Sequence, residues 1–507
     1  MMVSVEADLK LSLNPTTLSL LSRVEDFLSR HDTRAYVVGG FLRDFIIKRS
    51  TADIDIALEA DALHIAPQIA DHLGGKFVAL DEMNGVGRVI LSEPGEHPDS
   101  RQWQIDFSTI EDGIAQDLAR RDFTIDAMAI SLDKIVKGTA TSEIIDPFNG
   151  LEDIERRVIK ATGDTIFRED AARLLRAVRL AAELNFIISP ETETLIRQNC
   201  HLITTVAGER VREELLKLLV NTDSSQLMLY LDDLGLLTAL IPELAETKGV
   251  EQPTEHQWNV FNHSVKVIDA ADFILRKGNW EYTGREVLDY INWSAELAEH
   301  FELKVSGGSN RRLLLKLAAL LHDIAKPQTK MINAQGRTRF HGHPQQGAPI
   351  AAAILERLRF STKEVKLVAA IVRHHLRPVQ TSHGELPTGR AIYRYFRDTD
   401  DAAIDVLFFS LADHLATRGA NLDIANWQQH TSLVNYMLDQ HSTQRGEVTS
   451  PKLISGHDLI RNFNLKPGPE IGRVLEAVRE AHACREITSR DEALAYADHL
   501  LSSKRGD

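Results

Sequence analysis

Cysteine is scarce in this sequence, with only Cys200 and Cys484 among 507 residues. Two cysteines cannot form a disulfide framework, so we expect a chain that folds in a reducing compartment, the cytoplasm. Long hydrophobic runs are also lacking, because no stretch approaches the roughly 18 apolar residues that a membrane span needs. The amino-terminal residues show neither the basic start nor the apolar core of a secretion signal. We therefore expect no membrane association.

An excess of basic charge is absent as well. The chain has 58 basic and 73 acidic side chains, which give a formal net charge of −15. Such a balance argues against non-specific coating of nucleic acid or of an anionic membrane, although a local basic groove remains possible. A hydrophobic content of 43% and a charged content of 26% exclude wholesale disorder. The length predicts about three domains of roughly 100–200 residues each.

The hydrophobic pattern changes along the chain. Strand and helix patterns alternate in the first part, where the segment Asp53–Leu58 alternates polar and apolar residues as a half-buried strand does. Beyond about residue 150 helical patterns dominate, including one long arginine-rich helix predicted over 167–185. We predict a mixed α+β head at 15–145, a helical neck and body at 146–250, a helical domain at 251–420 and a helical tail at 421–507.

The segment YVVGGFLRDFIIKRSTADIDIAL combines three features of a phosphate site. A predicted strand runs into Gly39 and Gly40, where missing side chains let backbone N–H groups approach a phosphate. Arg43 follows one helical turn later and would add positive charge there. Asp53 and Asp55 lie two apart on a strand, so both carboxylates leave the same face and can hold Mg²⁺ for phosphoryl transfer. Each feature alone is more often a turn or a solvated strand, and their combination favours the site.

Further candidates follow along the head. Asp106, on another predicted strand, could complete the carboxylate set, although a solvent-facing acid at a strand end is an equal alternative. Arg120 and Arg121 precede the start of a helix, a position that suits contacts to a triphosphate or to RNA phosphates. Standing alone, this pair would indicate only surface salt bridges.

At this point the motifs resemble those of a known family. The segments RRDFTIDAMAI, DPFNGLEDI and EDAARLLRAVRLAAELNF follow the glycine and aspartate motifs in the order seen in class II tRNA nucleotidyltransferases. This group contains the CCA-adding enzymes and shares its catalytic core with bacterial poly(A) polymerases, and the resemblance covers about residues 20–245. It implies a polymerase-β-like nucleotidyltransferase head, with tRNA, ATP and CTP as partners. It also implies that Asp53 and Asp55 bind the catalytic Mg²⁺ and that Arg120 and Arg121 contact the incoming nucleotide.

The same resemblance assigns the base-reading residues. Asp170 and Arg173 would read the base edge of ATP or CTP, and as residues three apart on one helix they would share a face. One accepts and the other donates hydrogen bonds, so guanine and uracil would leave buried polar groups unpaired. An ordinary salt bridge is the alternative. Arg176, which continues this face, is a candidate contact to both nucleotide and RNA, and Arg179 is a candidate RNA contact.

Two departures from the family pattern bear on the reaction. The usual asparagine of the RRDFT motif is Asp126 here, which removes a side-chain amide donor. Only ten residues separate Asp106 from Asp117, where many CCA-adding relatives carry a longer flexible loop. In the family a shortened loop accompanies partial addition. We expect complete CCA addition, with a partial CC- or A-adding enzyme or a poly(A) polymerase as the alternatives.

Histidines and aspartates recur along the helical half. The order of these residues resembles that of HD-domain metal-dependent phosphohydrolases, over about residues 255–420. The resemblance implies a divalent metal site, with Mg²⁺ or a transition metal, that activates water against a phosphate ester such as a damaged RNA end. Lys326 could steady the phosphate. The implied ligands are His263, His322, Asp323, Asp413, His343 and one of the pair His374 and His375.

Two other classes of function are alternatives. In the first, the HD domain is the only catalytic part and the head merely presents RNA to it, but the presence of both Asp53 and Asp55 speaks against this alternative. The second alternative is a non-catalytic RNA-binding protein. The acidic net charge disfavours it, and so does the presence of both complete sets of candidate metal ligands, one in the head and one in the helical half. No stable protein partner is implied.

Overall fold

The computed structural model describes residues 13–92, 102–138, 143–253, 257–382, 386–447 and 453–503. The chain divides into two compact units. The first contains the residues up to Val206 together with Leu234–Leu236, and the second contains Ala207–Asp233 and Leu237–Asp507. The finer division into four parts remains a prediction. Among the described helices, none combines the length and apolarity that crossing a bilayer requires.

A six-stranded mixed sheet, with the order β3-β4-β5-β2-β1-β6, forms the centre of the first unit. Strands β2 and β5 run parallel, and the other neighbouring strands are antiparallel. The predicted mixed sheet of the head is therefore confirmed. The strands are β1 Ala35–Val38, β2 Asp53–Leu58, β3 Lys76–Asp81, β4 Val86–Ser92, β5 Gln102–Thr109 and β6 Ala129–Ser131.

The alternation in β2 places its two faces in different surroundings. Ile54 and Ile56 are buried, whereas Asp53 is exposed and Asp55 is half-buried. Successive side chains of a strand point to opposite faces, so the two carboxylates share one face and the two isoleucines join the core. The apolar residues thus fix β2 in the sheet and leave its acidic face for chemistry.

Helices surround this sheet and continue beyond it. The predicted helix over 167–185 is wrong as one element, because it is interrupted at Asp170, whose backbone is extended (φ −147°, ψ 103°). A short parallel pair, β7 Val158–Ile159 and β8 Ile187–Ile188, also lies beyond the sheet. The helices are α1 Pro15–Arg30, α2 Gly39–Ile46, α3 Ala62–Leu73, α4 Ile114–Ala119, α5 Leu132–Lys137, α6 Gly150–Arg156, α7 Ile166–Glu169, α8 Arg173–Leu184 and α9 Pro190–Asn199.

The second unit is helical, as predicted. Its centre is formed by α13, α15, α17, α18 and α21, which pack on one another. The helices from the junction onward are α10 Gly208–Val220, α11 Ser224–Asp233, α12 Leu236–Leu240, α13 Val260–Ile274, α14 Ala295–Glu302, α15 Arg311–Leu321, α16 Lys326–Thr329, α17 His343–Arg357, α18 Thr362–His374, α19 Arg377–Ser382, α20 Gly389–Thr399, α21 Ala403–Arg418, α22 Ile424–Glu447, α23 Gly456–Phe463, α24 Pro469–Ala483 and α25 Arg490–Ser503.

Side-chain caps set where several of these helices begin. The Asn259 and Asn310 side chains accept from the Asn262 and Leu313 backbone N–H groups at the starts of α13 and α15. Such caps satisfy N–H groups that have no partner within the helix. The caps therefore define the register of helices that carry metal-ligand candidates at their starts and ends.

Two small hairpins interrupt the helices of the second unit. The first joins β9 Lys304–Ser306 to β10 Ser309–Asn310, and the second joins β11 Lys330–Ile332 to β12 Thr338–Phe340. Ser309 of the first hairpin is buried, and its hydroxyl donates to Glu364. Strands of two or three residues are too short to show a period, so the sequence did not reveal them.

Candidate functional site

Three carboxylates of the head lie on one face of the parallel strand pair. Asp55 of β2 lies directly opposite Asp106 of β5 in the register, and Asp53 precedes Asp55 on the same face of β2. The structure thus brings together the three acids that the sequence singled out. Carboxylate oxygens are the ligands that Mg²⁺ prefers in proteins, so this donor set fits a magnesium ion.

Arg88, which the sequence did not single out, pairs with the third acid, Asp106. Arg88, opposite Asp106 in β4, donates from Nε to Oδ1 at 2.7 Å and from Nη2 to Oδ2 at 2.8 Å. This bidentate pair turns Asp106 toward Arg88, and among the described residues the three acids do not form a compact three-ligand group. In the sequence, the sign that Arg88 has a specific role is its position as a charged residue at the centre of the apolar segment VGRVIL.

The carboxylate of Asp55 is held by the turn at the start of α2. The backbone N–H of Phe41 donates to it, and the guanidinium of Arg121 lies nearby. Burial raises the pKa of Asp55, and Asp106 and Asp126 add to this effect while Arg121 opposes it. Arg121 also pairs with Asp117 at 3.0 Å. A cation and a turn of backbone N–H groups therefore stand beside the two metal-ligand candidates.

Gly39 allows this close approach. Its φ is +65°, and a Cβ there would lie 2.8 Å from Nη1 of Arg121 and 3.0 Å from Oδ2 of Asp55. We expect Gly39→Ala to cost roughly 1–2 kcal/mol of folding free energy through the left-handed backbone. Because the added methyl also displaces Asp55 or Arg121, nucleotidyl transfer should fall more than about tenfold in a protein that remains folded. Gly138→Ala is the matched control, since Gly138 also has a positive φ but has open space around it. Equal activity losses in the two variants would contradict this explanation.

Arg43 is not oriented as the sequence predicted. Its buried guanidinium pairs with Asp44 at 2.8 Å and with Asp126 at 2.6 Å. Asp126 also lies 3.5 Å from Arg176, which pairs with Asp122 at 2.6 Å. The substitution of the family asparagine by Asp126 therefore supplies a negative charge between two arginines. A phosphate contact by Arg43 would have to compete with two carboxylates, and this geometry lends it no support.

The base-reading candidates lie close together but not on one helix. Asp170 is half-buried in the break between α7 and α8, where its Oδ1 accepts from the Ala172 N–H at 3.1 Å. The predicted shared helix face is therefore wrong, because Asp170 follows α7 and Arg173 begins α8. Arg173 begins α8, and its Nη2 donates to the backbone carbonyl of Arg120 at 2.8 Å. This bond links the base-reading candidate to the RRDFT segment.

The remaining candidate arginines of the first unit differ in exposure. Arg120 is exposed and lies 3.2 Å from Asp112. Arg176 is partly exposed within the pairs described above. Arg179 is buried, and its Nη1 donates to both carboxylate oxygens of Glu183 at 2.9 and 3.0 Å. Its orientation gives no support to the predicted RNA contact, because the charge is neutralised within its own helix.

The second unit brings its ligand candidates together from different helices. His263 lies on α13, His322 and Asp323 follow α15, His343 begins α17 and Asp413 lies on α21. His263 Nε2 lies 2.9 Å from Oδ1 of Asp413, and His322 Nε2 lies 3.1 Å from Oδ2 of Asp323. These residues are separated by up to 150 positions along the chain, so only the helix packing unites them.

The structure distinguishes between the adjacent histidines at the end of α18. His375 is buried, and its Nε2 lies 3.3 Å from Nε2 of His343. His374 is half-buried and is not among the grouped ligand atoms, which come from two overlapping sets. Burial, with His322 and His343 nearby, lowers the pKa of His375 to about 3, so this imidazole is neutral. The two sets are His263, His322 and Asp323, and Asp323, His343 and His375.

Hydrogen bonds orient three of these imidazoles as metal ligands. The Nδ1 atoms of His322, His343 and His375 lie 2.9, 2.9 and 2.7 Å from the backbone carbonyls of residues 319, 340 and 372. A carbonyl only accepts, so each Nδ1 carries a proton and each ring turns its Nε2 toward the cluster. Asp323 contributes two buried oxygens to the same place. The donor chemistry therefore fits a divalent metal.

Lys326 does not point freely toward a phosphate site. Its ammonium group lies 2.6 Å from Oδ2 of Asp323 and donates to the Gln252 side chain at 2.6 Å. Burial raises the pKa of Asp323, but His322 and Lys326 outweigh this effect and hold the pKa well below its usual value. Asp323 is therefore a carboxylate at neutral pH, as a metal ligand must be.

Three family models match the chain. They are the poly A polymerase head domain at residues 35–160, a probable RNA-binding region of polymerase A at 185–248 and the HD domain at 284–418. Their order agrees with the head, the helical continuation and the histidine-rich helices. The nucleotidyltransferase and HD types both use divalent metals in general, in keeping with the two donor sets.

Similar proteins extend this agreement along the chain. An A-adding tRNA nucleotidyltransferase of Deinococcus radiodurans is 31% identical over 93% of this chain and 96% of its own length. A CC-adding tRNA nucleotidyltransferase of Thermus thermophilus is 29% identical over 91% and 92%. A CCA-adding enzyme of Geobacillus kaustophilus is 37% identical over 43% of this chain and 53% of its own length.

The solved structures show the same fold. A CCA-adding enzyme in complex with CTP matches with a TM-score of 0.61 and 21% identity, over 97% of this chain and 96% of that one. The mixed sheet followed by helices is thus a known architecture. Together with the full-length relatives and the three family models, it shows that the chain belongs to the family of tRNA nucleotidyltransferases, the CCA-adding group, and carries an HD domain.

Proposed function

We propose that the first unit adds C and A nucleotides to the 3′ end of tRNA, with CTP and ATP as donors. The observation that carries this proposal is the acidic face of β2, where Asp53 and Asp55 stand beside the glycine turn and Arg121. Mg²⁺ bound to these carboxylates would supply activation of the 3′ hydroxyl and charge neutralisation of the triphosphate. The family to which the chain belongs supports the choice of substrates.

Other residues of the first unit would orient the metal ligands, offer charge to the leaving group and recognise the base. The Phe41 N–H group orients Asp55, and Arg121 offers positive charge to the leaving pyrophosphate. Arg88 pairs with both oxygens of Asp106, which lies opposite Asp55 in the strand register. Asp170 and Arg173 would pair with the edge that cytosine and adenine present similarly, and the bond from Arg173 to the Arg120 carbonyl fixes this reader relative to the RRDFT segment.

A second candidate is partial addition, which two observations favour. The relatives that match over nine-tenths of the chain are named A-adding and CC-adding, whereas the CCA-adding relative from Geobacillus matches over 43% of it. In addition, only residues 110–113 separate the end of β5 from the start of α4. In the family a short connection here accompanies addition of part of the CCA end.

Single-nucleotide incorporation distinguishes the candidates. Three tRNAs, ending before CCA, after C and after CC, are incubated with CTP alone, ATP alone or both, with Mg²⁺. Complete addition predicts C, C and A in order and then a stop. Extension of only the first two tRNAs with CTP, or of only the last with ATP, would establish partial addition. A long A ladder would indicate a poly(A) polymerase, and no incorporation on any tRNA would overturn the transferase proposal.

For the second unit we propose hydrolysis of phosphate esters. The converging Nε2 atoms of His322, His343 and His375 around Asp323 support this proposal. A divalent ion, Mg²⁺ or a transition metal, would supply Lewis-acid polarisation of the ester there. The chain itself holds His375 neutral, keeps Asp323 ionised and excludes bulk water from the ligands. Lys326 could exchange its contact with Asp323 for a phosphate oxygen of the substrate.

A further inference from the structure

The β11–β12 hairpin carries a basic surface that no function above uses. Lys330, Arg337 and Arg339 are all exposed. The exposed Met331 pairs with Arg339 in the register and therefore lies on the same face of the hairpin. Met331 and its neighbour Ile332 expose 59% and 69% of their surface. The hairpin thus combines positive charge with accessible apolar side chains.

Acidic residues are absent from this part of the chain. No aspartate or glutamate occurs from residue 324 to residue 355, although acidic residues outnumber basic ones overall. Among the described residues, Lys330, Arg337 and Arg339 have no ion-pair partner, whereas Arg88, Arg121 and Arg179 of the first unit each pair with an acid. Surface cations are usually balanced by nearby acids, so three unbalanced ones in an acidic protein create a local positive potential. This potential suits a polyanion.

The hairpin is joined directly to the metal-ligand cluster. The carbonyl of Phe340, the last residue of β12, accepts from Nδ1 of His343 at 2.9 Å. Lys326 of the same cluster lies 5.4 Å from the Phe340 ring. The basic strand residues therefore end within three positions of a ligand candidate. A chain bound along the hairpin would have one end at the cluster.

We propose that the β11–β12 hairpin binds the backbone of RNA and guides its end to the HD cluster. Arg337 and Arg339 contact phosphates, and Met331 offers an apolar surface to an unstacked base. The proposal rests on the phosphohydrolase function proposed above and specifies its substrate as a polynucleotide end rather than a free nucleotide. The charge favours RNA over a protein partner, because a cluster of cations without acidic partners matches the continuous negative charge of a phosphate backbone.

Photo-crosslinking tests the contact without any hydrolysis. The exposed Gln335, at the tip of the hairpin, is replaced by a photoreactive phenylalanine derivative, and the full-length protein is irradiated with labelled tRNA in EDTA. We expect crosslinks that decline several-fold when Arg337 and Arg339 are both replaced by alanine. The control carries the same group at Lys363, an exposed residue at the start of α18. Because His375 at the end of α18 meets His343 at the start of α17, Lys363 lies at the far end of this helix pair.

Salt dependence and kinetics complete the test. Loss of two phosphate contacts should reduce the salt slope of hairpin crosslinking by about 1.4 in log–log terms. With bound metal, KM for a tRNA ending in a phosphate should rise roughly tenfold in Arg337→Ala Arg339→Ala, while hydrolysis of bis-p-nitrophenyl phosphate stays unchanged. The matched control is Lys363→Ala Lys366→Ala, which removes two exposed charges from α18.

The outcomes separate the two proposals. Equal crosslinking from the hairpin and from Lys363, or crosslinks to a second copy of the chain instead of RNA, would overturn the RNA-binding surface. An equal loss on the small ester and on tRNA would also overturn it, since the hairpin would then act through His343 alone. If wild-type protein hydrolyses neither substrate while charge-dependent hairpin crosslinks persist, the phosphohydrolase proposal fails and the RNA contact stands.

Discussion

Asp55→Asn is expected to lower the rate of nucleotidyl transfer by about a thousandfold or more. The substitution keeps the size of the side chain but removes the charge with which Asp55 would hold Mg²⁺, and metal stabilisation of the transferring phosphate is worth several kcal/mol. The measurement is single-turnover incorporation of CMP or AMP into tRNA with Mg²⁺. Asp53→Asn should give a comparable loss, because its carboxylate leaves the same face of β2.

The fold should tolerate this change. Burial raises the pKa of Asp55 above its usual value, so ionisation of this carboxyl costs more free energy in the folded chain than in the unfolded chain. Asparagine removes this penalty, and the melting temperature in EDTA should stay equal or rise. Asp71→Asn is the matched control, since Asp71 is exposed on α3 of the same unit. Full activity of Asp55→Asn, or an equal loss in Asp71→Asn, would refute the assignment of the metal ligands.

His375→Gln is expected to abolish tight metal binding by the second unit. Substitutions of groups that merely orient metal ligands weaken affinity about 10–100-fold, so loss of a ligand should exceed about 100-fold. At a metal concentration of 100 Kd, binding stabilises the folded state by about 2.7 kcal/mol, and a hundredfold loss of affinity leaves about 0.4 kcal/mol. The measurements are bound metal per chain and the rise in melting temperature on addition of metal.

His374→Gln supplies the matched control for this experiment. His374 is adjacent in the chain but lies outside the grouped ligand atoms, so metal binding should be retained. Nucleotidyl transfer should be unchanged in both variants and shows that the proteins are folded. The assignment fails if His374→Gln loses the metal and His375→Gln retains it. Loss of metal in neither variant would exclude both histidines as ligands.

The sequence was most informative where a local pattern governs structure. The strand bounds at Asp53–Leu58 agree with the prediction. This strand has a clear period of two, and such a signal acts over a few positions. The mixed head and the helical second half followed from the same periods.

Local patterns did not predict the structure where a side chain interacts with residues that are far away in the sequence. The break at Asp170 interrupts an otherwise helical segment, in which Arg173 instead donates to the carbonyls of Arg120 and Ile166. Arg43 pairs with Asp126, 83 positions away, rather than facing a phosphate. Electrostatic pairing across such distances depends on which strands are neighbours, and spacing along the chain carries no record of it.

By itself the sequence determined the chemistry: which acids, histidines and arginines are present, and in which order of motifs. Only the tertiary structure decided how they act. The register of β4 and β5 placed Arg88 on Asp106, and the packing of α17 on α18 brought His375 rather than His374 into the group of ligand candidates. The physical reason is that side-chain direction at a helix or strand end is set by the elements packed against it. A shift of one residue in strand register, or of one-third of a turn in a helix, is then enough to move a side chain out of a buried cluster into a more exposed position.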